Sequence, residues 1–292
     1  MSGYTDTENK KGTLFLCATP IGNLEDITLR VIRTLKEADL IAAEDTRNSI
    51  RLLNHFDIHT PMTSYHEFNK YDKGRYLVSE LENGKNIALI TDAGMPGISD
   101  PGEELVKMCV EAGIEVTALP GACACVTALT VSGLRTRRFV FEAFLPSDKK
   151  ERNSILETMR DEIRTIVIYE APHRLVSTLE ELLAALGNRR ASVCRELTKK
   201  HEEIFRTDLK GALEHFRAKK PLGECVIVIE GKNPAELTEE RRAEWERFSP
   251  AEHVAFYENQ GYDRKEAMKL AAKDRGVAKR DIYRELIEDK ET

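Results

Sequence analysis

The sequence predicts an α/β protein in which a mostly parallel sheet is covered by helices and followed by a small helical extension. Short apolar runs, such as residues 13–19 and 39–45, alternate with amphipathic stretches, which is the rhythm of βαβα units. After residue 231 the chain is charged and carries no strand pattern. Its 292 residues, 41% hydrophobic and 32% charged, fit a soluble globular protein of two or three domains.

The distribution of apolar residues also predicts a location. No window approaches 18 uninterrupted apolar residues, and the N-terminus is polar, with no apolar segment ahead of a small-residue cleavage site. We therefore expect a cytoplasmic protein with neither a membrane span nor a secretory signal.

Alternating strands and helices are predicted throughout the first half. The strands are the apolar runs at 13–19, 39–45, 86–97 (which runs into a Gly/Pro turn) and 114–121. Helical spacing of Leu29, Val31, Ile32 and Leu35 predicts a helix over 28–38, and others are expected at 49–56, after 62–69 and after 100. Asp100 is expected to cap the last of these, with Pro101 at N1 and Glu103 at N3.

The second half of the chain is also predicted to alternate helices and strands. Helices are predicted at 122–131, around 155–159 and at 173–187, where five leucines share one face and Gly187 is the expected C-cap. The predicted strands are 139–145, 165–172, 190–197 and 224–231.

The tail is predicted to be helical. Residues 232–250 read as a linker or a peripheral helix, and 261–286 as two short helices separated by the turn 274–277, which is helix-turn-helix spacing. The expected domains are therefore a flexible N-terminus (1–12), an N-terminal α/β domain (13–119), a C-terminal α/β domain (120–232), and a linker with the helix-turn-helix-like extension (233–292).

The six cysteines do not form a metal motif. The only close pair, Cys123 and Cys125, lacks C-x-x-C spacing, and no export route is predicted that would favour disulfides. We expect all six to be reduced, small buried hydrophobes, with no metal site.

Charge is unevenly distributed along the chain. Residues 1–134 have a net charge of −7, residues 135–220 of +5, and residues 221–292 of −4. The cations of the middle third cluster at 135–138, 149–152 and 199–200. This pattern suits a phosphate backbone as partner, but a solvated mixed surface explains it equally well.

Two glycine-bearing turns follow predicted strands, at 20–23 and 92–97. Strand carboxyl ends are where α/β sheets place ligands, so both turns are candidate cofactor sites. Neither is a G-x-G-x-x-G or Walker loop, and ordinary strand-to-helix turn chemistry remains an open alternative.

Several long strings, in a fixed order, resemble one family. They are ATPIGNLEDIT (18–28), AAEDTR (42–47), SYHEFN (64–69), ALITDAGMPGISDPG (88–102), ALPG (118–121), YEAPHR (169–174) and RELTKKHEE (195–203). Over about residues 13–232 the chain resembles the bacterial small-subunit ribosomal RNA cytidine 2′-O-methyltransferases of the tetrapyrrole methylase superfamily. The helix-turn-helix-like tail resembles the extension common in that subfamily.

The resemblance implies a fold of two α/β domains that bind S-adenosylmethionine in the cleft between them, and a homodimer. It also implies that the chain methylates the ribose 2′-hydroxyl of a cytidine in the decoding region of small-subunit ribosomal RNA. The cofactor contacts it implies are Pro20, Gly22, Asp92, Ala93, Gly94, Met95, Gly121, Ala122, Cys123, Glu170, Ala171, Pro172 and Val226.

The chain departs from the family pattern at two places. Ala122 and Cys123 stand where relatives have Pro followed by Ser or Cys, which changes the detail of that cofactor contact. Phe68 stands where relatives often have a second His, so that His is not expected to be indispensable.

The chemistry of such a transfer needs alignment and a base. Aligning a ribose oxygen with an activated methyl supplies most of the rate, and a base that accepts the hydroxyl proton adds roughly 10²- to 10⁴-fold. Polar residues near strand ends are the candidates for the acceptor side: Glu44, Asp45, His66 and Glu67. Substrate contacts are expected from Arg47, Asn69, Lys149, Lys150 and Arg174.

Structural roles compete with these assignments. Glu44 and Arg47 are equally expected to form an internal salt bridge, Arg174 to brace a carboxylate, and His173 to cap the helix that follows Pro172. The tail either packs against the protein or docks on RNA through its cations, Lys265, Lys269, Lys273, Lys279 and Arg280.

Three functions remain open at this point. The first is methylation of small-subunit ribosomal RNA, free or in the assembled subunit. The second is methylation of an acidic corrinoid or porphyrinoid by the same cofactor cleft. The third is a non-catalytic ribosome-maturation factor or DNA-binding regulator on a methyltransferase scaffold.

Overall fold

The computed structural model describes residues 10–219 and 221–288. They form two compact units, one made of residues 10–156 and 165–230 and the other of 157–164 and 231–288. Most of the predicted flexible N-terminus, residues 1–9, lies outside the described residues, as does Lys220. The predicted domain boundaries stay a prediction.

The first sheet has five strands, all parallel, in the order β3-β2-β4-β1-β5. Its strands are β1 (Thr13–Cys17), β2 (Leu40–Ala43), β3 (Met62–Ser64), β4 (Ile87–Ile90) and β5 (Glu115–Leu119). The central strand β4 is buried throughout, which explains why it reads as an unbroken apolar run.

Helices cover both faces of this sheet. Helices α1 (Leu29–Glu37) and α2 (Thr46–His55) contribute to one apolar cluster, and α3 (Lys70–Glu82) and α4 (Gly102–Glu111) contribute to another. Thr28 caps α1 by accepting a hydrogen bond from the Val31 N–H. Because all strands run the same way, their carboxyl ends and the loops that follow meet at one edge.

The expected cap of α4 differs in detail. The helix begins at Gly102, one residue later than predicted, and no capping box with Glu103 forms. The Asp100 carboxylate instead accepts hydrogen bonds from the N–H groups of Gly97, Ile98 and Gly102. Asp100 thus holds the whole turn after β4 as well as the helix start.

The second sheet is mixed, in the order β6-β7-β10-β8-β9. Its strands are β6 (Phe139–Phe144), β7 (Thr165–Glu170), β8 (Arg190–Arg195), β9 (Glu203–Asp208) and β10 (Cys225–Ile229). Only β6 and β7 pair in parallel; the other three pairs are antiparallel. The prediction of a mostly parallel sheet is right for the first sheet and wrong for the second. The loop 196–202 joins β8 directly to its neighbour β9, and β10 runs opposite to both of its neighbours, β7 and β8.

Four helices accompany the second sheet: α5 (Ala124–Val131), α6 (Lys149–Met159), α7 (Leu175–Leu186) and α8 (Leu209–Ala218). The sequence prediction missed β3 in the first sheet, and β9 and α8 here. Strand β9 lies at the sheet edge and carries charged residues along its length, so it shows no apolar run. Gly187 ends α7, as predicted.

The second unit contains four helices, α9 (Pro234–Glu246), α10 (Pro250–Asn259), α11 (Arg264–Arg275) and α12 (Lys279–Glu288). The two predicted tail helices and their turn are therefore present, with Gly276 in the left-handed conformation at the end of α11. A small apolar core, including Val254, Met268 and Ile282, joins α10, α11 and α12. Within the described residues, no helix has both the length and the apolar character that crossing a bilayer requires.

Buried aromatic and polar groups complete this unit. The imidazole of His253 is fully buried and stacks on Trp245, with ring centroids 3.6 Å apart. The Arg275 Nε–H donates to His253 Nδ1 at 3.1 Å, and Asp274 Oδ2 lies 3.4 Å from His253 Nε2. The chain segment 157–164 joins the unit through Lys232, whose Nζ lies 3.1 Å from Asp161 Oδ1.

Candidate active site

The turns that follow β1 and β4 are hydrogen-bonded to each other. The Thr19 N–H donates to the Gly94 carbonyl at 2.9 Å, and the Gly94 N–H donates to the Thr19 carbonyl at 3.1 Å. The Thr19 hydroxyl also donates to the Thr91 carbonyl at 3.2 Å. The two glycine turns that the sequence singled out are thus one structural unit at the carboxyl edge of the first sheet.

A third turn, after β5, packs on the same spot. Gly94 has φ +88°, and a Cβ there would lie 3.3 Å from Ile21 Cγ2 and 3.6 Å from the Ala122 carbonyl oxygen. A Cβ on Gly121 would lie 2.6 Å from the Ala18 Cβ. Both glycines therefore allow backbone segments to approach more closely than a side chain would permit.

A cavity of about 290 Å³ lies between this edge and the second sheet. Such a volume is at the lower end of the range for small-molecule sites. The first sheet and its loops contribute Ile21, Glu44, Thr91, Asp92, Ala93, Gly94, Met95, Ile98, Ser99 and Asp100. The remaining lining residues are Cys123, Ala124, Phe144, Tyr169, Glu196, Leu197, Lys199, Glu224, Cys225 and Val226.

Several predicted site residues meet in this lining: Glu44, Asp92, Ala93, Gly94, Met95, Cys123 and Val226. Other predicted cofactor contacts are absent from it: Pro20, Gly22, Gly121, Ala122, Glu170, Ala171 and Pro172. Gly22 lies directly behind the lining, since a Cβ there would lie 2.4 Å from Lys199 Cγ. The binding roles of the residues outside the lining stay predictions.

Glu170 is held by its own chain. It is only 1% exposed, and its carboxylate accepts hydrogen bonds from the Thr178 hydroxyl at 2.6 Å and the Ala171 N–H at 2.8 Å. The guanidinium of Arg174 lies 3.4 Å from the same carboxylate and donates to the Leu145 carbonyl at 2.8 Å. Arg174 therefore braces a carboxylate and the loop after β6, which is the structural alternative to phosphate binding.

Carboxylates dominate the charged part of the cavity lining. One Glu44 oxygen accepts a hydrogen bond from the Thr91 hydroxyl at 2.5 Å. Asp92 accepts hydrogen bonds from the Asp45 N–H and the Asn48 side chain, both at 3.2 Å. Burial raises the pKa of Asp92, and the nearby charge of Glu44 adds to the rise.

The opposite wall of the cavity adds two carboxylates and one ammonium. Glu196 and Glu224 line it, and the Lys199 ammonium lies 2.8 Å from a Glu196 oxygen. Together with Glu44, Asp92 and Asp100, the lining holds five carboxylates against one lysine. Its net charge therefore favours a cationic ligand group.

Asp45 and Arg47 are engaged with each other. The Asp45 side chain accepts from the Arg47 N–H at 2.8 Å and from its guanidinium at 3.1 and 2.7 Å. These hydrogen bonds lower the pKa of Asp45 to about 2. The alternative prediction of a salt bridge between Glu44 and Arg47 is wrong. Arg47 pairs with Asp45 instead, because Asp45 is the N-cap of α2 and lies beside it.

The loop between β3 and α3 carries His66, Glu67 and Asn69. Asn69 closes it by accepting from the His66 N–H at 2.8 Å, and Lys70 pairs with Glu67 at 2.5 Å. These three residues do not belong to the cavity lining. A shallow depression lined by Glu67, Lys70, Ser99 and Asp100 adjoins the cavity, since Ser99 and Asp100 belong to both.

The predicted substrate lysines, Lys149 and Lys150, begin α6 and are exposed. They follow the cavity residue Phe144 by five and six positions. Of the cysteines, five are buried as predicted, but Cys123 is half-buried in the cavity wall. No group of three or more His, Cys, Asp or Glu side chains within 10–219 and 221–288 is arranged to hold a metal ion.

Thirteen of the twenty lining residues were not among the predicted site residues, including Ser99, Phe144, Tyr169, Glu196 and Lys199. Ser99 and Glu196 adopt positive φ angles of 66° and 51°. Left-handed conformations cost roughly 1–2 kcal/mol in non-glycine residues and cluster at functional sites. The amino-acid types at these two positions do not predict such a conformation. A partial signal existed, since Tyr169, Glu196 and Lys199 all lie within strings used for the family resemblance.

Two solved structures are similar to this chain in fold. Diphthine synthase superposes with a TM-score of 0.60 at 14% identity, over 75% of this chain and 90% of that one. A uroporphyrin-III C-methyltransferase of Thermus thermophilus complexed with S-adenosylhomocysteine gives a TM-score of 0.53 at 20% identity, over 74% and 97%. At these identities the likeness shows the fold alone, and the fold is that of the tetrapyrrole methylases.

The family itself is shown by sequence. The model for Tetrapyrrole (Corrin/Porphyrin) Methylases matches residues 13–213, and the chain belongs to that family. It is therefore a methyltransferase, and the predicted cofactor, S-adenosylmethionine, agrees with that class.

Similar curated proteins share a more specific name, ribosomal RNA small subunit methyltransferase I. The one from Halalkalibacterium halodurans is 53% identical over 94% of both chains, and the one from Bacillus subtilis is 47% identical over 93% of both. That of Thermotoga maritima is 47% identical, covering 99% of its own length but 76% of this chain. The resemblance drawn from the residue strings is confirmed.

Proposed function

We propose that the chain transfers a methyl group from S-adenosylmethionine to the ribose 2′-hydroxyl of a cytidine in the decoding region of small-subunit ribosomal RNA, in the cytoplasm. The observation that carries the proposal is the cavity formed where the turns after β1, β4 and β5 meet the second sheet. The shared name of the relatives supports ribosomal RNA as the substrate.

The lining suits this cofactor in charge and shape. S-adenosylmethionine supplies a methyl group on a cationic sulfonium, and the amino-acid end of its methionine part carries a second cation, the ammonium, together with one carboxylate. Asp92 offers its carboxylate to those cations, while Tyr169, Leu197 and Val226 offer an apolar surface for the adenine. The close backbone turn at Gly94 leaves room at the cavity wall.

Among the predicted bases, Glu44 is best placed to accept the ribose proton. Its carboxylate lines the cavity, and the Thr91 hydroxyl and the Asp92 N–H both donate to the same one of its two oxygens. Asp45 is already bound by Arg47, which makes it a poor proton acceptor. We therefore assign the base to Glu44, with Asp45 as a helix cap that positions Asp92 through its N–H.

The acidic lining also determines how RNA approaches. The lining repels phosphates, so the RNA backbone runs outside the cavity. The ribose of one unpaired nucleotide enters the cavity, because a 2′-hydroxyl within a packed helix could not reach it. The exposed lysines at the start of α6, Lys149 and Lys150, are proposed to hold the phosphates.

The same electrostatics disfavour the main alternative. A corrinoid or porphyrinoid intermediate carries several carboxylates, which the acidic lining would repel. The description of the family model keeps such a substrate as the second candidate. A non-catalytic maturation factor is disfavoured because the cavity and its turns are intact.

One experiment tests the activity directly. Small subunits and free RNA from cells lacking the protein are incubated with purified protein and methyl-labelled S-adenosylmethionine, with Glu44→Gln as the matched control. We expect label in the RNA at a cytidine whose 3′ bond resists alkaline cleavage, and a large loss of rate with Glu44→Gln. Label on neither RNA form, with cofactor binding intact, would reject ribosomal RNA as the substrate.

The homodimer also remains a proposal. Light scattering on the purified chain at micromolar concentration is expected to give twice the 33.1 kDa mass of one chain. A monomer mass across that range contradicts it.

A further inference from the structure

The side chain of Phe68 is almost completely exposed. It is 97% exposed, more than any other large hydrophobic residue among those described. Exposing an isolated phenyl ring brings no benefit to folding, because its burial is what stabilises a protein. The whole ring face is therefore accessible to a ligand.

The loop that carries the ring is well anchored. Tyr65, just before it, is 1% exposed, and its hydroxyl donates to the Pro101 carbonyl at 3.0 Å. The Asn69 N–H donates to the His66 carbonyl at 3.0 Å, and the Asn69 carboxamide accepts from the His66 N–H. The backbone that carries the ring is therefore fixed before any ligand arrives, which lowers the entropic cost of binding.

The position of the loop links Phe68 to the cavity. Its neighbours Glu67 and Lys70 line a depression together with Ser99, Asp100, Pro101, Glu103 and Glu104, and Ser99 and Asp100 also line the cavity. The carboxylates of this depression keep phosphates away, so the contact that the loop can offer RNA is with a base. The His66 ring lies edge-on to Phe68 at a centroid distance of 6.1 Å. A nucleotide whose ribose enters the cavity would therefore have a neighbouring base within reach of this loop.

The surroundings of the ring favour a nucleic-acid base over a protein. Phe68 is flanked by His66, Glu67 and Asn69, so it is one aromatic ring among polar groups rather than part of an apolar patch. Stable protein interfaces need a buried area far larger than one ring. An unpaired base needs only a flat aromatic face, and stacking on such faces is how proteins hold single-stranded RNA.

We propose that the Phe68 ring stacks on an unpaired base of the RNA next to the acceptor nucleotide and so sets the affinity for that strand. This inference rests on the proposed function. Phe68 contacts substrate and takes no part in proton or methyl transfer, so its loss acts on substrate binding.

The test compares four proteins: wild type, Phe68→Leu, Phe68→Ala and Phe68→Trp. Leucine keeps an apolar side chain of similar size without a π face, and tryptophan keeps and enlarges the face. The readouts are kcat and KM for the small subunit. Calorimetry with S-adenosylhomocysteine and thermal melting check that the cavity and fold are unchanged.

We expect Phe68→Leu and Phe68→Ala to raise KM for RNA by about 5- to 100-fold, the loss that removing one base–aromatic stack produces. Phe68→Trp should stay within about twofold of wild type. Equal KM values for Phe68→Leu and wild type overturn the stacking role, because then only apolar bulk matters. Unchanged KM in all variants overturns it too.

The two proposals fail differently. If the wild type methylates the subunit and every Phe68 variant has the same KM as the wild type, only the stacking role is rejected and the proposed function stands. If the wild type leaves the RNA unmethylated while binding the cofactor, the proposed function is rejected and the stacking role with it.

Discussion

Thr19 and Gly94 form a two-residue bridge in which each N–H donates to the other's carbonyl. The bridge is antiparallel, whereas β1 and β4 pair in parallel, and it brings the two glycine turns together. Gly94 can take part only because it lacks a Cβ, since its φ is +88° and Ile21 is close.

Gly94→Ala is therefore expected to lower the affinity for S-adenosylhomocysteine by about tenfold or more, as the turn must shift. Gly113→Ala is the matched control, because Gly113 also has positive φ, at +64°, but a Cβ there meets nothing within 4 Å. Both variants should lose roughly 1–2 kcal/mol of unfolding free energy. Calorimetry that finds equal affinities in the two variants contradicts a role for this close approach.

Asp92→Asn is expected to separate stability from binding. Burial raises the pKa of Asp92, so ionising it costs the folded state free energy at neutral pH, and a neutral amide removes that cost. We expect no fall in Tm at pH 7, together with weaker binding of the cationic cofactor. A melting temperature several degrees below wild type at pH 7 would contradict this account.

Cys123 is expected to be the reactive cysteine. Its sulfur lies 3.4 Å from that of Cys125, and this hydrogen bond lowers the pKa of Cys123 to about 6, whereas burial raises the pKa of Cys17, Cys109 and Cys225. Alkylation should therefore be fast at pH 7, slow below pH 6 and confined to Cys123.

Since Cys123 lines the cavity, S-adenosylmethionine should protect it. Peptide mapping after iodoacetamide treatment, with Cys123→Ser as control, measures both effects. Labelling at another cysteine first, or no protection at saturating cofactor, argues against this assignment.

Reversing the charge of Lys149 and Lys150 together should weaken RNA binding and leave cofactor binding unchanged. Both side chains are exposed at the start of α6, so the fold should tolerate glutamate there. If two phosphate contacts are lost, the slope of log affinity against log salt should fall by about one to two units. An unchanged affinity and slope would remove these lysines from the RNA surface.

The second unit is expected to lose stability in mild acid. Burial and the facing Arg275 lower the pKa of His253, so the unfolded chain binds more protons than the folded unit as pH falls below about 6.5. Trp245 stacks on it from α9, and Asp274 and Tyr257 form the remaining polar wall, with Asp274 opposing the shift.

Trp245 is the only tryptophan in the chain, and its fluorescence therefore reports on this unit. Urea midpoints at pH 7.5 and 5.5 should differ for wild type, while His253→Phe, which keeps the ring stack, should show a smaller difference. The same pH dependence in both proteins would assign the effect to other groups.

Much of the fold followed from local patterns. Buried strands such as β4 and β10 are apolar throughout, and the ends of the tail helices carry their own signals, such as Gly276. The edge strand β9 could not be predicted from such a pattern, because the charged residues along an exposed edge strand interrupt its apolar run. Strand direction in the second sheet was also missed, since apolarity does not encode which way a strand runs.

The site followed less completely. The turn 92–97 could be predicted from its glycines and from its position after a strand, and several of its residues line the cavity. Contributions from the far wall, such as Glu196 and Lys199, depend on how two sheets meet and on left-handed backbone at Glu196. Arg47 pairs with Asp45 rather than Glu44 because Asp45 is the N-cap of α2. The string AAEDTR does not show which of its two adjacent acidic residues caps the helix.

The discontinuity of the second unit bears on synthesis. Residues 157–164 leave the ribosome nearly 70 residues before residues 231–288, with which they pack. At roughly 5–20 residues per second this is a delay of several seconds, during which β7 to β10 emerge. Translation speed thus sets how long this early segment must wait, uncovered, for Lys232 and the helices that complete its surroundings.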